Sequence, residues 1–119
     1  MKLREVVLAL DAEILSGDEF LDREVETCCG SDLMSDVLAF TKHNTLLCTG
    51  LTNLQVIRTA DMTDLSGIVM VRGKRVALNF LQEAESQGLP VFTTRHTMFE
   101  ACGILWEKGL RGCSELRPG

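Results

Sequence analysis

Four short stretches hold the residues best suited to binding chemistry: Ser31-Asp32, Thr49–Asn53, Arg72–Arg75 and Thr93–Thr97. Each follows an apolar run, so each reads as a loop at the end of a strand. Thr52-Asn53-Leu54-Gln55 and Thr97-Met98-Phe99-Glu100 match the capping box, Ser or Thr followed three residues later by Glu or Gln. They place helix N-termini, whose unpaired N–H groups attract anions, beside those loops. Arg72, Lys74, Arg75 and Arg95 bring positive charge to the same edge. The candidate ligand-binding set is Thr49, Gly50, Thr52, Asn53, Arg72, Arg95, His96 and Thr97. The ligand expected is small and anionic, a nucleotide being one candidate. Taken singly, each threonine reads as a helix cap and each arginine as a solvated charge. Only their convergence makes a site.

Other chemistry finds little footing. No G-x-x-x-x-G-K-[ST] or G-x-G-x-x-G motif occurs, and Arg75 follows Gly73-Lys74, so a phosphate cradle is disfavoured. Cys28 and Cys29 are adjacent rather than spaced C-x-x-C, and in a strand they face opposite ways. Cys48 and Cys102 read as core thiols, and Cys113 falls near the C-terminus. No pair has zinc or iron–sulfur spacing, so no metal and no cofactor is expected, and a metal would have to be shared between protomers. Asp61 and Asp64 read as a solvated helix face. His96 as a general base would need a partner from Asp32, Thr49 or Thr52. A small hydrolase or transferase built on His96 is a third reading, and no catalytic residue is assigned.

One repeated unit must position these loops. Val25–Gly30, Thr45–Gly50, Gly67–Gly73 and Leu89–Thr94 are apolar runs closed by turns, starting about every 20–22 residues. That interval fits a strand, a helix and a return, hence a mostly parallel sheet whose ligands bind at the strand carboxyl ends. The spacing of Leu3, Val6, Val7 and Leu10 predicts a helix over Lys2–Leu10, and Ala12–Leu15 a short strand. Val25–Cys29 is the next strand. Met34, Val37, Leu38 and Thr41 predict a helix side, closed by His43-Asn44. A further helix is expected from about Asn53, burying Leu54, Ile57 and Ala60. Ser66-Gly67 is read as ending that unit, and Ile68–Val71 as a buried strand. Val76, Ala77, Phe80, Leu81 and Ala84 mark another helix face, stopped by Gln87-Gly88. Met98, Cys102 and Leu105 form a stripe of the last helix, with Trp106 expected in the core. Leu110–Gly119 is expected to be weakly held.

Bulk properties agree. At 119 residues and 45% hydrophobic, the chain suffices for one domain with a real core. Twelve basic against seventeen acidic residues leave a net charge of −5, which argues against a general nucleic-acid binder. No segment reaches the apolar length of a membrane span, and Val6–Leu10 is too short for a signal peptide. A cytoplasmic protein with reduced thiols is expected.

Leu46-Leu47-Cys48-Thr49-Gly50, Ser66-Gly67-Ile68-Val69-Met70, Gly88-Leu89-Pro90-Val91-Phe92 and Thr97-Met98-Phe99-Glu100-Ala101 also carry a family likeness. On them, Val25 to Gly109 resembles a DRTGG domain, most of all the small stand-alone DRTGG-like proteins. That module accompanies phosphotransacetylases, CBS-domain proteins and pyrophosphatase-like regulators. It is similar in fold to the N-terminal domain of HPr kinase/phosphorylase. The family's namesake turn carries Asp-Arg where this chain has Leu51-Thr52, and His96 stands where the family often has Asp. The resemblance implies a non-catalytic regulatory domain that self-associates.

The expected architecture is therefore α/β: a single compact domain over residues 1–112, with a mostly parallel sheet of four to six strands flanked by helices, and a tail over 113–119. The expected function is ligand sensing in a homodimer. The alternative is a ligand-free dimerisation or protein-interaction module, with Phe99 and Trp106 packing a partner protein.

Overall fold

The apolar runs do become strands, and the alternation of side chains along them divides the interior in two. A computed structural model describes residues 1–113. Its elements are α1 (Leu3–Leu10), β1 (Glu13–Ser16), a 3-10 turn (Asp18–Phe20), β2 (Thr27–Gly30), α2 (Met34–Phe40), β3 (Thr45–Thr49), α3 (Gln55–Asp61), β4 (Leu65–Met70), α4 (Leu78–Ser86), β5 (Val91–Thr93), α5 (Met98–Glu107) and β6 (Arg111–Gly112). The six strands form one sheet in the order β1-β5-β4-β3-β2-β6. β2, β3, β4 and β5 are parallel neighbours in sequence order, β6 joins β2 in parallel, and β1 closes the other edge antiparallel to β5.

Each repeat steps one strand across the sheet, so its helix returns over the same face. Leu47, Ile68, Met70 and Val91 meet α2, α3 and α4 through Met34, Val37, Val56, Ile57, Phe80 and Ala84. On the other face Leu46, Cys48, Val69, Val71 and Phe92 meet α1 and α5 through Leu3, Val6, Leu10, Ala101 and Leu105. Every residue of β3 and β4 is buried, which explains the apolar runs over 46–48 and 68–70. Cys29 and Cys28 go to opposite faces, as adjacent strand residues must.

Several boundaries differ from the sequence reading, each for a packing reason. β2 starts at Thr27 because the Val25 amide is taken by the Met1 carbonyl at 2.6 Å. Ser66-Gly67 lies inside β4 instead of ending a unit. A side chain at Gly67 would meet Leu3 Cδ2 at 3.3 Å and the Phe92 ring at 3.4 Å, so this glycine lets α1 approach the sheet. In α2 only Met34 and Val37 are buried, and Leu38 faces outward. Val76 and Ala77 precede α4, Ala77 with extended backbone. The C-terminal stretch is held further than expected. Leu110 and Cys113 are buried, and Arg111–Gly112 pair with Thr27 and Cys28. The rest of the expected tail, residues 114–119, lies outside the described residues. Among the described residues no helix is long and apolar enough to cross a membrane.

Trp106 is not in the core. It is 57% exposed, and Phe99 is 86% exposed. Met98, Ala101, Cys102 and Leu105 form the inward stripe of α5, while Phe99 and Trp106, seven apart, share another side. The Arg111 guanidinium covers the Trp106 ring at 4.1 Å.

Candidate ligand site at the strand tips

The parallel strands end together, and their tips are tied by hydrogen bonds around one carboxylate. Asp32, just past β2, accepts from the Thr49 hydroxyl at 2.9 Å and from the Gly50 amide at 2.6 Å through Oδ1. Thr49 Oγ1 also accepts from the Leu51 amide at 3.1 Å, which turns the chain sharply away from β3. The Gly50 amide bond holds the Asp32 carboxyl below the usual carboxylate range, helped by Thr49, Lys74 and Arg72 against a smaller cost of burial. Lys74 Nζ donates to the Gly50 carbonyl at 3.0 Å. A Cβ built on Gly50 would lie 3.6 and 3.7 Å from the Asp32 oxygens and 3.7 Å from Arg72 Nη2. The arginine and the carboxylate thus face each other across the bare backbone of Gly50.

Arg72 reaches this point through unusual backbone. Its φ is +59°, left-handed for a residue with a side chain, and Gly73 follows at +67°. The tight turn is fixed by the β5 tip: the Arg72 amide donates to the His96 carbonyl at 2.8 Å and the Gly73 amide to the Thr94 carbonyl at 2.7 Å. Thr93 Oγ1 donates to the Lys74 carbonyl at 2.7 Å, and Thr94 Oγ1 to the Leu10 carbonyl at 2.7 Å. Strained backbone held by its surroundings is a common device for aiming a functional side chain.

Seven of the eight candidate residues divide into three settings at this edge. Thr49, Gly50 and Arg72 meet around Asp32, with His96 bonded to Arg72 through the backbone. Thr52 and Asn53 line a groove of 710 Å³ with Leu54, Gln55, Arg58 and Phe80, between the starts of α3 and α4. Arg95 lines a hollow of 440 Å³ on the other side, with Gly73, Arg75 and Thr94. There Arg75 pairs with Glu13 of β1 at 2.7 Å, which holds the Glu13 carboxyl below its usual range.

Thr97 is the cap of α5: it accepts from the Glu100 amide at 3.2 Å and donates to Glu100 Oε1 at 3.1 Å. The matching box at Thr52 does not form. α3 begins at Gln55, and Asn53 Oδ1 accepts from the Gln55 amide at 3.0 Å instead. Sequence reasoning left Asp32 out of the ligand-binding set, though an Asp two residues past a strand was a visible signal.

The five cysteines are free thiols. Sequence spacing suggested no cluster within one chain, yet Cys28, Cys48 and Cys102 place their sulfurs within 4.8 Å of one another. Non-adjacent elements do this: β2 and β3 lie side by side, and α5 crosses them. Cys28 and Cys48 share a hydrogen bond at 3.8 Å. The neighbouring Cys28 and Cys48 thiols push the Cys102 thiol down, while Cys102 and burial push the Cys28 and Cys48 thiols up.

A mostly parallel sheet with helices on both faces defines an α/β domain. Over residues 5–107 the sequence matches the DRTGG domain, and the chain belongs to that family. The fold is similar to a crystal structure of the CBS and DRTGG domains of the regulatory region of Clostridium perfringens pyrophosphatase, complexed with its activator diadenosine tetraphosphate. The TM-score is 0.73 at 15% identity, over 87% of this chain and 45% of that one. The chain therefore spans under half the length of that regulatory region. No curated protein matches the sequence.

Proposed function

We propose that this chain is a regulatory, ligand-sensing domain that binds a small anionic ligand, a nucleotide, at the strand carboxyl edge. The observation that carries the proposal is the cluster at the tips of β2, β3 and β4, where Arg72 is aimed by strained backbone over the bare Gly50 beside Asp32. Arg72 and Arg95 supply the positive charge for phosphate oxygens. The groove between the starts of α3 and α4, with Leu54 and Phe80 among Thr52, Asn53, Gln55 and Asn79, offers apolar surface with polar edges for a base and sugar. The activator in the related pyrophosphatase structure is a nucleotide of this chemistry.

The role is regulatory rather than catalytic. The tips of β3, β4 and β5 are already bonded to one another, so an anion on Arg72 pulls on Gly50, His96 and Thr94 together. Ligand binding then changes the stability of the whole edge and of any surface it supports, which is how a domain without chemistry transmits a signal.

A thermal-shift series with nucleotides, dinucleoside polyphosphates and inorganic anions tests this. A ligand at about 100 times its Kd adds about 2.7 kcal/mol, a shift of several degrees. Arg72→Ala should abolish that shift while melting close to the parent protein. A flat series would overturn the reading.

A second reading rests on the exposed apolar side chains of α1 and α5: Leu8 at 76%, Phe99 at 86% and Trp106 at 57%. This face is proposed as the self-association surface of a homodimer. Sedimentation of the parent protein and Phe99→Asp distinguishes it: a dimer that the variant dissociates supports it, and a monomer in both rejects it.

A further inference from the structure

We propose that Cys28, Cys48 and Cys102 form a binding site for a soft monovalent metal ion, Cu(I), between the sheet and α5. The three sulfurs lie within 4.8 Å of one another, and Cys28 and Cys48 are 3.8 Å apart. A metal held by sulfur bonds of about 2.3 Å needs sulfurs about 3.8 Å apart in a tetrahedron or about 4.0 Å in a trigonal plane. The cluster meets that requirement with shifts of under about 1 Å, within the reach of side-chain rotation.

The surroundings have the form of a site. Gly30 leaves a gap that sulfur fills: a Cβ on it would lie 2.7 Å from Cys102 Sγ and 3.2 Å from Met98 Sδ. Two sulfurs of α5 therefore rest against the bare backbone of β2, the Met98 thioether beside the same glycine as Cys102. Cys48 is wholly buried, while Cys28 and Cys102 are partly exposed.

Donor chemistry selects the ion. Thiolate and thioether sulfur favour Cu(I) among biological metals, and Zn(II) as the chief competitor. Structural zinc takes four nitrogen or sulfur ligands in a tetrahedron, commonly with two or more thiolates from tight loops. Here the three thiols come from two strands and a helix, in an apolar layer with Leu46, Val25 and Leu105. Cu(I) is satisfied by two or three soft sulfurs, whereas structural zinc would need a fourth ligand in that layer. Each thiol that coordinates releases its proton to solvent, and no change of oxidation state is involved.

The test is an anaerobic titration of the reduced full chain with Cu(I) held by the coloured chelator bicinchoninate. The protein should withdraw one Cu(I) per chain and melt at a higher temperature with it. Cys102→Ser should lose this, and Met98→Leu should weaken it about tenfold. The double variant Cys29→Ser/Cys113→Ser removes the two thiols that lie on the opposite face and should withdraw as much as the parent. If Cys102→Ser unfolds, Gly30→Ala serves in its place, because the added methyl displaces Cys102 Sγ. Failure of the parent to withdraw copper, loss of withdrawal in the double variant, or tighter tetrahedral binding of Co(II) or Zn(II) would each overturn the proposal.

Discussion

Asp32 and Gly50 are joined by a 2.6 Å hydrogen bond from the Gly50 amide to the Asp32 carboxylate, which spans from the tip of β2 to the tip of β3. The same oxygen takes the Thr49 hydroxyl, so one side chain orders the backbone that Arg72 overlooks. This bond is local enough to break singly and central enough to report on the whole edge.

Asp32→Asn should cost about 0.5–1.5 kcal/mol, towards the lower end because the carboxylate is exposed to solvent. The pH dependence has a definite sign. The folded carboxyl ionises below its usual range, so its stabilisation is complete above the ordinary carboxylate value. It disappears as pH falls through the lowered folded value. Melting curves across the acid range should therefore fall less steeply for Asp32→Asn than for the parent protein.

Thr97 and Thr52 carry the same capping motif and should respond differently to alanine. Thr97→Ala removes a formed cap from α5 and should cost about 1 kcal/mol. Thr52→Ala should stay within about 0.5 kcal/mol of the parent, since Asn53 serves the α3 amide instead. Chemical denaturation of the two variants decides the matter, and equal losses would contradict it.

Gly50→Ala separates folding from binding. The new methyl would make only ordinary contacts, at 3.6 and 3.7 Å from Asp32 and Arg72, so stability should hold within about 0.5 kcal/mol. It would stand between those side chains and should weaken a bound anion about tenfold. Calorimetric titration beside a melting curve reads both quantities.

Much of this arrangement was legible in the residues. Apolar residues over 46–48 and 68–71 marked the middle of β3 and the second half of β4 because both faces of each strand are covered, and Thr97 with Glu100 marked the start of α5 correctly. Trp106 was misplaced because helical spacing shows which residues share a side, not which side is covered. The Thr52 box failed because the Thr49 hydroxyl and Asp32 shape the loop before α3 can start. The three-thiol cluster was invisible for a different reason. Cys28, Cys48 and Cys102 are far apart in sequence, and only the order of β2 and β3 beneath α5 brings them together. Spacing rules detect sites built on one turn and miss those built by a sheet.

The exposed α5 side chains give a spectroscopic prediction. With Trp106 at the self-association surface, dilution should move its fluorescence to longer wavelength as the ring meets water. Phe99→Asp should show the long-wavelength emission at every concentration. An emission that ignores dilution in the parent protein would contradict the second reading and leave the ligand site untouched.

The most direct test of the central claim is to follow backbone amide resonances while diadenosine tetraphosphate is added to the parent protein. A regulatory site at the strand tips predicts saturable shifts at Gly50, Leu51, Arg72, Gly73 and His96, all absent in Arg72→Ala. No shifts, or shifts confined to α1 and α5, would contradict it.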